Sequence, residues 1–430
     1  MSNWREATIG QLVAEGVIEA PTDGNHGEIH PKGSDFVDSG IPFVMASDIE
    51  NGVVNLATCK FISESQATKL RKGFSVEGDV LLTHKATIGR TSVVPKIDTP
   101  YIMLTPQVTY YRVKDKDKLD NRFLKYYFDY KPFQETLALW SGAGSTRAYL
   151  GITGQHNLTV RLPKINVQTH IADVLAALDA KIDCNNRLNA ELEAMVKTLY
   201  DYWFVQFDFP DTKGRPYRSS GGKMAYNLTL KREIPEGWED SNVLAVADLF
   251  GGGTPTKKKA EYWGGDIPFF TPTDANGTIF KFSTSDYITE EGLNGSSTRL
   301  FEKNTVFITA RGSVGKLVLA GVDMAMNQSC YALRAKPGIS HTYLFFLTKE
   351  LIHHLQVKSS GSVFDSIVSN DVEFTKLAIP DSTVVQKFSA VAEPAFERIA
   401  NNTKENQQLT QLRHWLLPML MNGQITVVRS

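Results

Sequence analysis

Ile41-Pro42-Phe43-Val44-Met45-Ala46-Ser47-Asp48 returns later in the chain as Ile267-Pro268-Phe269-Phe270-Thr271-Pro272-Thr273-Asp274, at an offset of 226. The offset then holds without a gap. Val80-Leu81-Leu82-Thr83-His84-Lys85-Ala86-Thr87-Ile88-Gly89-Arg90 falls on Val306-Phe307-Ile308-Thr309-Ala310-Arg311-Gly312-Ser313-Val314-Gly315-Lys316, keeping an apolar run, threonine, basic residue, glycine and basic residue in order. Further on, Gln107 meets Gln328 at offset 221, and Gly144-Ser145 meets Gly361-Ser362 at 217, as does Leu162-Pro163 with Ile379-Pro380. Repetition on this scale means that one structural unit occurs twice.

Each copy ends in a helical pattern. From Ile171 the apolar positions Leu175, Leu178, Ile182, Leu192, Val196, Leu199 and Trp203 step by three or four residues, the period of a coiled-coil seam, with Asn185 and Asn189 at the missing seam positions. Ile399, Leu409, Leu412, Leu416 and Leu420 repeat the stripe, so that Ile399, Leu409, Leu412 and Leu416 align with Ile182, Leu192, Met195 and Leu199. The pattern predicts helices over 168–205 and 386–420, with Pro394 a kink or start in the second. Asn186, Arg187, Glu193 and Lys197, and then Lys404, Glu405, Gln408 and Arg413, form the polar faces.

Between the helical stretches, 79–83, 91–94, 108–113, 305–309 and 317–320 read as strands, and 121–139, echoed by 341–357, as a helix. The boundaries that follow are a globe over 1–163, a central spacer helix over 164–210, a polar linker over 211–234, a second globe over 235–380 and a C-terminal spacer helix over 381–430. The fold class is α+β: two similar mixed α/β globes, separated by two long helices that pair as an antiparallel coiled coil, with an internal pseudo-twofold repeat.

Composition is that of an ordinary globular chain of 430 residues, 42% hydrophobic and 22% charged. The longest uncharged stretch, 414–428, contains Pro418, Asn422 and Gly423, so no membrane span is expected. Arg5 and Glu6 stand where a secretory signal needs an apolar core, and the three cysteines show no CxxC spacing, which points to the cytoplasm and away from disulfides or a zinc site. With 46 basic against 47 acidic residues, any surface for nucleic acid is local or completed by a partner.

Chemistry-bearing motifs fail on inspection. Val246-Ala247-Asp248-Leu249-Phe250-Gly251-Gly252-Gly253 imitates a methyltransferase glycine loop but runs into Thr254-Pro255 and three lysines, and no Pro-Pro pair exists for the catalytic motif of an adenine methyltransferase. Gly312-Ser313-Val314-Gly315-Lys316-Leu317 lacks the first glycine and the hydroxyl residue of a P-loop. No catalytic residue, metal site or cofactor is expected. What remains is surface. Lys85 and Arg90, with Arg311 and Lys316, sit in matching glycine-containing turns, where basic side chains contact phosphates or guanine edges. Ser145 and Arg147, with Ser362, lie in Ser-rich turns, and Asn25, His26 and Lys32, with Lys257 and Lys258, precede the Ile-Pro-Phe strand.

Leu199-Tyr200-Asp201-Tyr202-Trp203-Phe204-Val205-Gln206-Phe207-Asp208, Ile234-Pro235-Glu236-Gly237-Trp238, Gly251-Gly252-Gly253-Thr254-Pro255 through Glu261-Tyr262-Trp263-Gly264-Gly265-Asp266-Ile267-Pro268, and the ending Leu416-Leu417-Pro418-Met419-Leu420-Met421-Asn422-Gly423 resemble the specificity subunit of type I restriction-modification systems. The resemblance covers essentially the whole chain. It implies that each globe is a target recognition domain reading one half of a split sequence in double-stranded DNA, with the helices setting the spacer. It also implies a subunit without catalysis of its own, partnered by two adenine methyltransferase subunits and by ATP-dependent restriction subunits. The repeats differ most between Asp48 and Val76 and between Asp274 and Glu302, so the half-sites should differ and the target should be asymmetric. Two competing readings are a coiled-coil scaffold that binds only proteins, without DNA specificity, and a degenerate modification enzyme.

Overall fold

The computed structural model describes residues 4–27, 30–142, 148–358 and 365–425. The chain divides into two compact units: Met1–Lys181 with Leu409–Ser430, and Ile182–Gln408. Both long helices cross that division, so each unit owns one part of each.

The repeat is visible element by element. In the first unit an antiparallel sheet orders its strands Thr87–Val93, Val80–Lys85, Val108–Tyr111 and Thr22–Asp23. In the second, the strands Leu317–Ala320, Val306–Thr309, Cys330–Ala335 and Ala247–Gly251 follow in the same order, with the short strand Phe280–Lys281 added parallel at the edge. A second sheet carries the Ile-Pro-Phe strand. Ile41–Val44 pairs parallel with Ile102–Leu104 and antiparallel with Lys60–Ile62. Trp263–Phe270 likewise pairs with Ala325–Met326 and Asp286–Ile288. The continuous apolar run of Ile41–Val44 is buried at every position, as expected for a strand covered on both faces.

The helix expected over 121–139 is broken into Asn121–Asp129 and Lys131–Ser141. Tyr130 is extended (φ −64°, ψ 129°) and Pro132 lies in the first turn of the second piece, where its missing N–H costs nothing. The counterpart, His341–Lys358, has no such proline and runs unbroken. The segment read as a polar linker contains an antiparallel hairpin, Met224–Asn227 with Arg232–Pro235. Trp238, just after it, stacks on Phe209 at 5.4 Å and meets Phe207 edge-on at 5.3 Å, which is why the aromatic end of the first long helix and the Ile-Pro-Glu-Gly-Trp segment belong to one core.

The long helices are Ile165–Tyr200, continued by a π-helical turn at Asp201–Val205, and Ser382–Met421. Pro394 lies inside the second helix rather than at its start. Within the second unit the two run antiparallel: Asn185 Nδ2 donates to Asn406 Oδ1 at 2.9 Å, and Asn402 Nδ2 donates to Asn189 Oδ1 at 2.9 Å. An offset of 217 exchanges these two bonds, donor for donor. The asparagines at the expected seam positions are therefore the signature of the pseudo-twofold. Polar residues in a helical seam favour one register over others at some cost in stability.

The seam itself departs from a strict heptad. Ile399 is buried, and Ile182, Leu192, Leu199, Leu409 and Leu416 are half-buried. Leu412 and Met195, however, are 41% and 51% exposed. Arg413, expected on the polar face, turns inward to Asp179 at 2.8 Å. A straight α-helix drifts about 20° per heptad, enough to rotate these positions out of a straight stripe. The ends are gripped by globe cores: Leu420 and Met421 are buried in the first unit, and their counterparts at offset 217, Trp203 and Phe204, in the second.

Candidate nucleic-acid interface

Thr83 and Thr309 organise the two matching turns. The Arg90 amide donates to Thr83 Oγ1 at 2.9 Å and the Lys316 amide to Thr309 Oγ1 at 2.9 Å. Gly89 and Gly315 hold φ of +89° and +82°, a region closed to most side chains, which lets each turn reverse before its second basic residue.

That second basic residue points into the framework. Arg90 Nη1 donates to the carbonyls of Ala46 at 3.3 Å and Ile49 at 3.0 Å, and lies 3.5 Å from Glu50 Oε1. Lys316 Nζ donates to the Ala275 carbonyl at 3.0 Å, and Ala275 is the counterpart of Ile49. Arg90 and Lys316 thus tie the turn to the bend that follows the Ile-Pro-Phe strand. That bend is fixed in turn by Asp48 and Asp274, which accept from the Met45 and Thr271 amides at 2.7 and 2.8 Å.

The first basic residue of each turn is the outward one. Lys85 is exposed, forms a bridge with Tyr149 and places Nζ 5.9 Å from the Tyr149 ring centroid. Arg311 is exposed and bridges Ser366 in the same way. Tyr149 and Ser366 are themselves counterparts at offset 217. Each unit therefore brings the chain that returns from its Ser-rich turn against the same basic position. Ser145, Arg147 and Ser362 lie outside the described residues.

The loop preceding the Ile-Pro-Phe strand turns out differently from its reading as surface. Gly24 passes so close to the backbone that a Cβ there would lie 1.9 Å from the Leu104 carbonyl, and at Gly252 it would lie 2.0 Å from that of Asn327. Asn25, next to Gly24, is 3% exposed and accepts from the Arg71 and Lys72 amides at 2.8 and 3.2 Å while donating to the Lys72 carbonyl. It is a framework clamp, not a surface contact. His26 faces Asp23 at 2.9 Å, and Asp23 also holds Lys72. Lys32, Lys257 and Lys258 are exposed, with Lys257 Nζ 6.0 Å from the Trp263 ring.

Sequence reasoning did not single out Trp140 and Tyr149, 45% and 47% exposed, or His84, which is fully buried. The signal was available in the repeat: their counterparts are Val357, Ser366 and Ala310. His84 Nδ1 contacts the Leu150 carbonyl at 3.0 Å, and burial pushes the imidazole below its usual range. Among the described residues no cluster of His, Cys, Asp and Glu is arranged to hold a metal, and no helix is long and apolar enough to cross a membrane.

Each unit carries the same strand-turn element with an outward basic residue. Residues 2–194 and 235–411 match the type I restriction modification DNA specificity domain, and the chain belongs to that family. Recognition of DNA sequence, rather than protein scaffolding alone, is its function. It is similar to the type I restriction enzyme MjaIX specificity subunit of Methanocaldococcus jannaschii, 25% identical over 356 residues that span 82% of this chain and 78% of that one. The HindI specificity subunit of Haemophilus influenzae is 24% identical over 319 residues, 63% of this chain and 69% of that protein. The crystal structure of a type I restriction-modification S subunit from M. genitalium aligns over 100% of this chain and 97% of its own, with a TM-score of 0.58 at 14% identity, a likeness of fold.

Proposed function

We propose that the chain is the non-catalytic specificity subunit of a cytoplasmic type I restriction-modification complex, and that each unit reads one half of a bipartite, asymmetric target in double-stranded DNA. The observation that carries this reading is the doubled turn: Lys85 beside Tyr149 in one unit and Arg311 beside Ser366 in the other, the same backbone bridge presenting different side chains. Identical scaffolding explains why both units bind the same kind of ligand. Different side chains explain why the half-sites differ. Arg311 suits the O6 and N7 acceptors of guanine, which a guanidinium meets in bidentate fashion. Two adenine methyltransferase subunits would supply the chemistry and much of the positive surface that a chain of net charge −1 lacks, with ATP-dependent restriction subunits joining them.

On this reading the helices set the spacer between half-sites. Methylation mapping of host DNA in the presence of the chain and its methyltransferase is the test, and it should return a single split sequence. Adding one heptad to both helices at facing positions adds about 10 Å at 1.5 Å per residue. The mapped spacer should then grow by about three base pairs at roughly 3.4 Å each, with both half-sites unchanged. An unchanged spacer with activity intact rules out the helices as the ruler.

A further inference from the structure

Resting on that reading, we infer that the first unit reads its half-site with an aromatic pair, Trp140 and Tyr149, that the second unit lacks. Three elements converge at this spot. The helix Lys131–Ser141 ends here, with Gly142 in the left-handed conformation at its cap. The Tyr149 amide donates to the Ser141 carbonyl at 3.0 Å, so the returning chain lies against the last turn that carries Trp140. The Ala86 amide donates to the Ala148 carbonyl at 3.1 Å, which brings in the end of the strand that carries Lys85.

The first unit has three exposed aromatic side chains among its described residues, Trp140, Tyr149 and Trp415, and two of them lie here. Leu139 beside them is 77% exposed. Apolar surface of this kind, left in water next to an outward lysine, is suited to a partner that offers flat apolar rings and negative charge together. Duplex DNA offers both: thymine methyl groups at the groove edge and base steps that an apolar wedge opens for the aromatic side chains, phosphates for Lys85. The patch is continuous with the turn already assigned to DNA, so no second partner is needed. In the second unit the counterparts of Trp140 and Tyr149 are Val357 and Ser366, beside Arg311 in place of Lys85. One unit presents an apolar and aromatic surface with a point charge; the other presents a guanidinium fork.

The test converts the first patch to the chemistry of the second. Trp140→Val and Tyr149→Ser, singly and together, are assembled with the methyltransferase partner, and both the methylation map and the affinity for duplexes carrying the wild-type target are measured. Removal of an aromatic contact to a base should weaken cognate binding on the order of tenfold per side chain and relax positions in the first half-site only. Tyr149→Phe, which keeps the ring, should retain the wild-type map. Unchanged maps and affinities overturn the inference, as does equal weakening on duplexes of every sequence or relaxation of the second half-site. The two readings fail separately: if the wild-type complex yields no sequence-specific methylation, the proposed function is at fault, whereas a specific wild type with indifferent variants removes the aromatic pair alone.

Discussion

The two units seat the long helices differently against their globes. In the first, Lys125 is 5% exposed, with Nζ 2.9 Å from Asp129 and 3.7 Å from Asp179 of the first long helix. Asp179 also receives Arg413 from the second long helix at 2.8 Å and the Tyr126 hydroxyl at 2.8 Å. Burial, and then Asp179, push that hydroxyl up, so it stays a proton donor. In the second unit the end of the first long helix packs on the helix His341–Lys358, with Tyr200 stacked on Phe346 at 5.4 Å, beside an open cleft of about 1040 Å³ lined among others by Glu193, Lys316 and Lys349. Its charged pairs, such as Lys349 with Glu193 at 3.2 Å, stand at 43% and 37% side-chain exposure. The first unit thus closes its helix junction with a buried ionic network, whereas in the second Phe396, the counterpart of Asp179 at offset 217, packs on Phe345 and Phe346 at 5.7 and 5.6 Å, and the charged pair Lys349–Glu193 stands at a half-exposed edge.

That difference sets the largest expected effect. Lys125→Ala removes the buried cation between Asp129 and Asp179. Asp179 keeps Arg413 and the two carboxylates are 30% and 29% exposed, so the cost should fall at the low end for a broken buried pair, about 3 kcal/mol. Lys349→Ala removes an exposed pair and should cost about 1 kcal/mol or less. Urea unfolding of the two variants under one set of conditions checks the ratio. Equal losses would mean that the buried network contributes nothing beyond an ordinary surface pair, and the comparison would collapse.

The next effect is smaller and sharpens the comparison at the turns. Arg90 donates to two carbonyls and approaches Glu50, while Lys316 donates to one carbonyl. At about 1 kcal/mol net per hydrogen bond, with more for a charged donor, Arg90→Ala should cost about 2 kcal/mol and Lys316→Ala about half of that. Arg90→Lys should recover part of the loss. If both alanine variants keep full stability but weaken DNA binding alike, the two residues act on the ligand and not on the framework.

The sequence reveals what repeats and conceals what depends on distant backbone. Thr83 and Thr309, the turn glycines and the basic residues after them stand out because two copies preserve them at one offset. Asn25 was legible only as a polar residue in a loop. Its burial follows from the backbone at Arg71 and Lys72, 46 and 47 residues away, and no local pattern carries that. The helix stripe gave the pairing of the long helices, yet a 3.5-residue period placed Leu412 inside, because local periodicity takes no account of how a 40-residue helix turns relative to its neighbour. Trp140 and Tyr149 were overlooked for the opposite reason. Attention to what the copies share passes over the positions where they differ, and differing positions are where two half-sites must be told apart.

The smallest effect concerns another such difference, His84 against Ala310. Burial holds His84 below its ordinary value of 6.5, and its Nδ1 is held by the Leu150 carbonyl. The unfolded chain takes up a proton here as the pH falls below 6.5, while the folded chain resists it. Stability from this group is therefore complete above the unfolded value and lost as the pH drops below it, by at most about 1.4 kcal/mol per pH unit. His341 of the second unit is depressed by burial in the same direction, so the whole chain should soften in acid. His84→Ala, which copies the second unit, sacrifices the bond to Leu150 and should be less stable near pH 7.5. It should nevertheless lose less on passing to pH 5.5, because His341 and the carboxylates contribute equally to both proteins and cancel in the difference. Unfolding free energies from urea titrations at the two pH values give four numbers and one double difference, expected near 1 kcal/mol in the direction of a flatter variant. Parallel slopes would show that His84 takes up its proton in the folded chain as readily as in the unfolded one, and this position would then cease to distinguish the two units by pH.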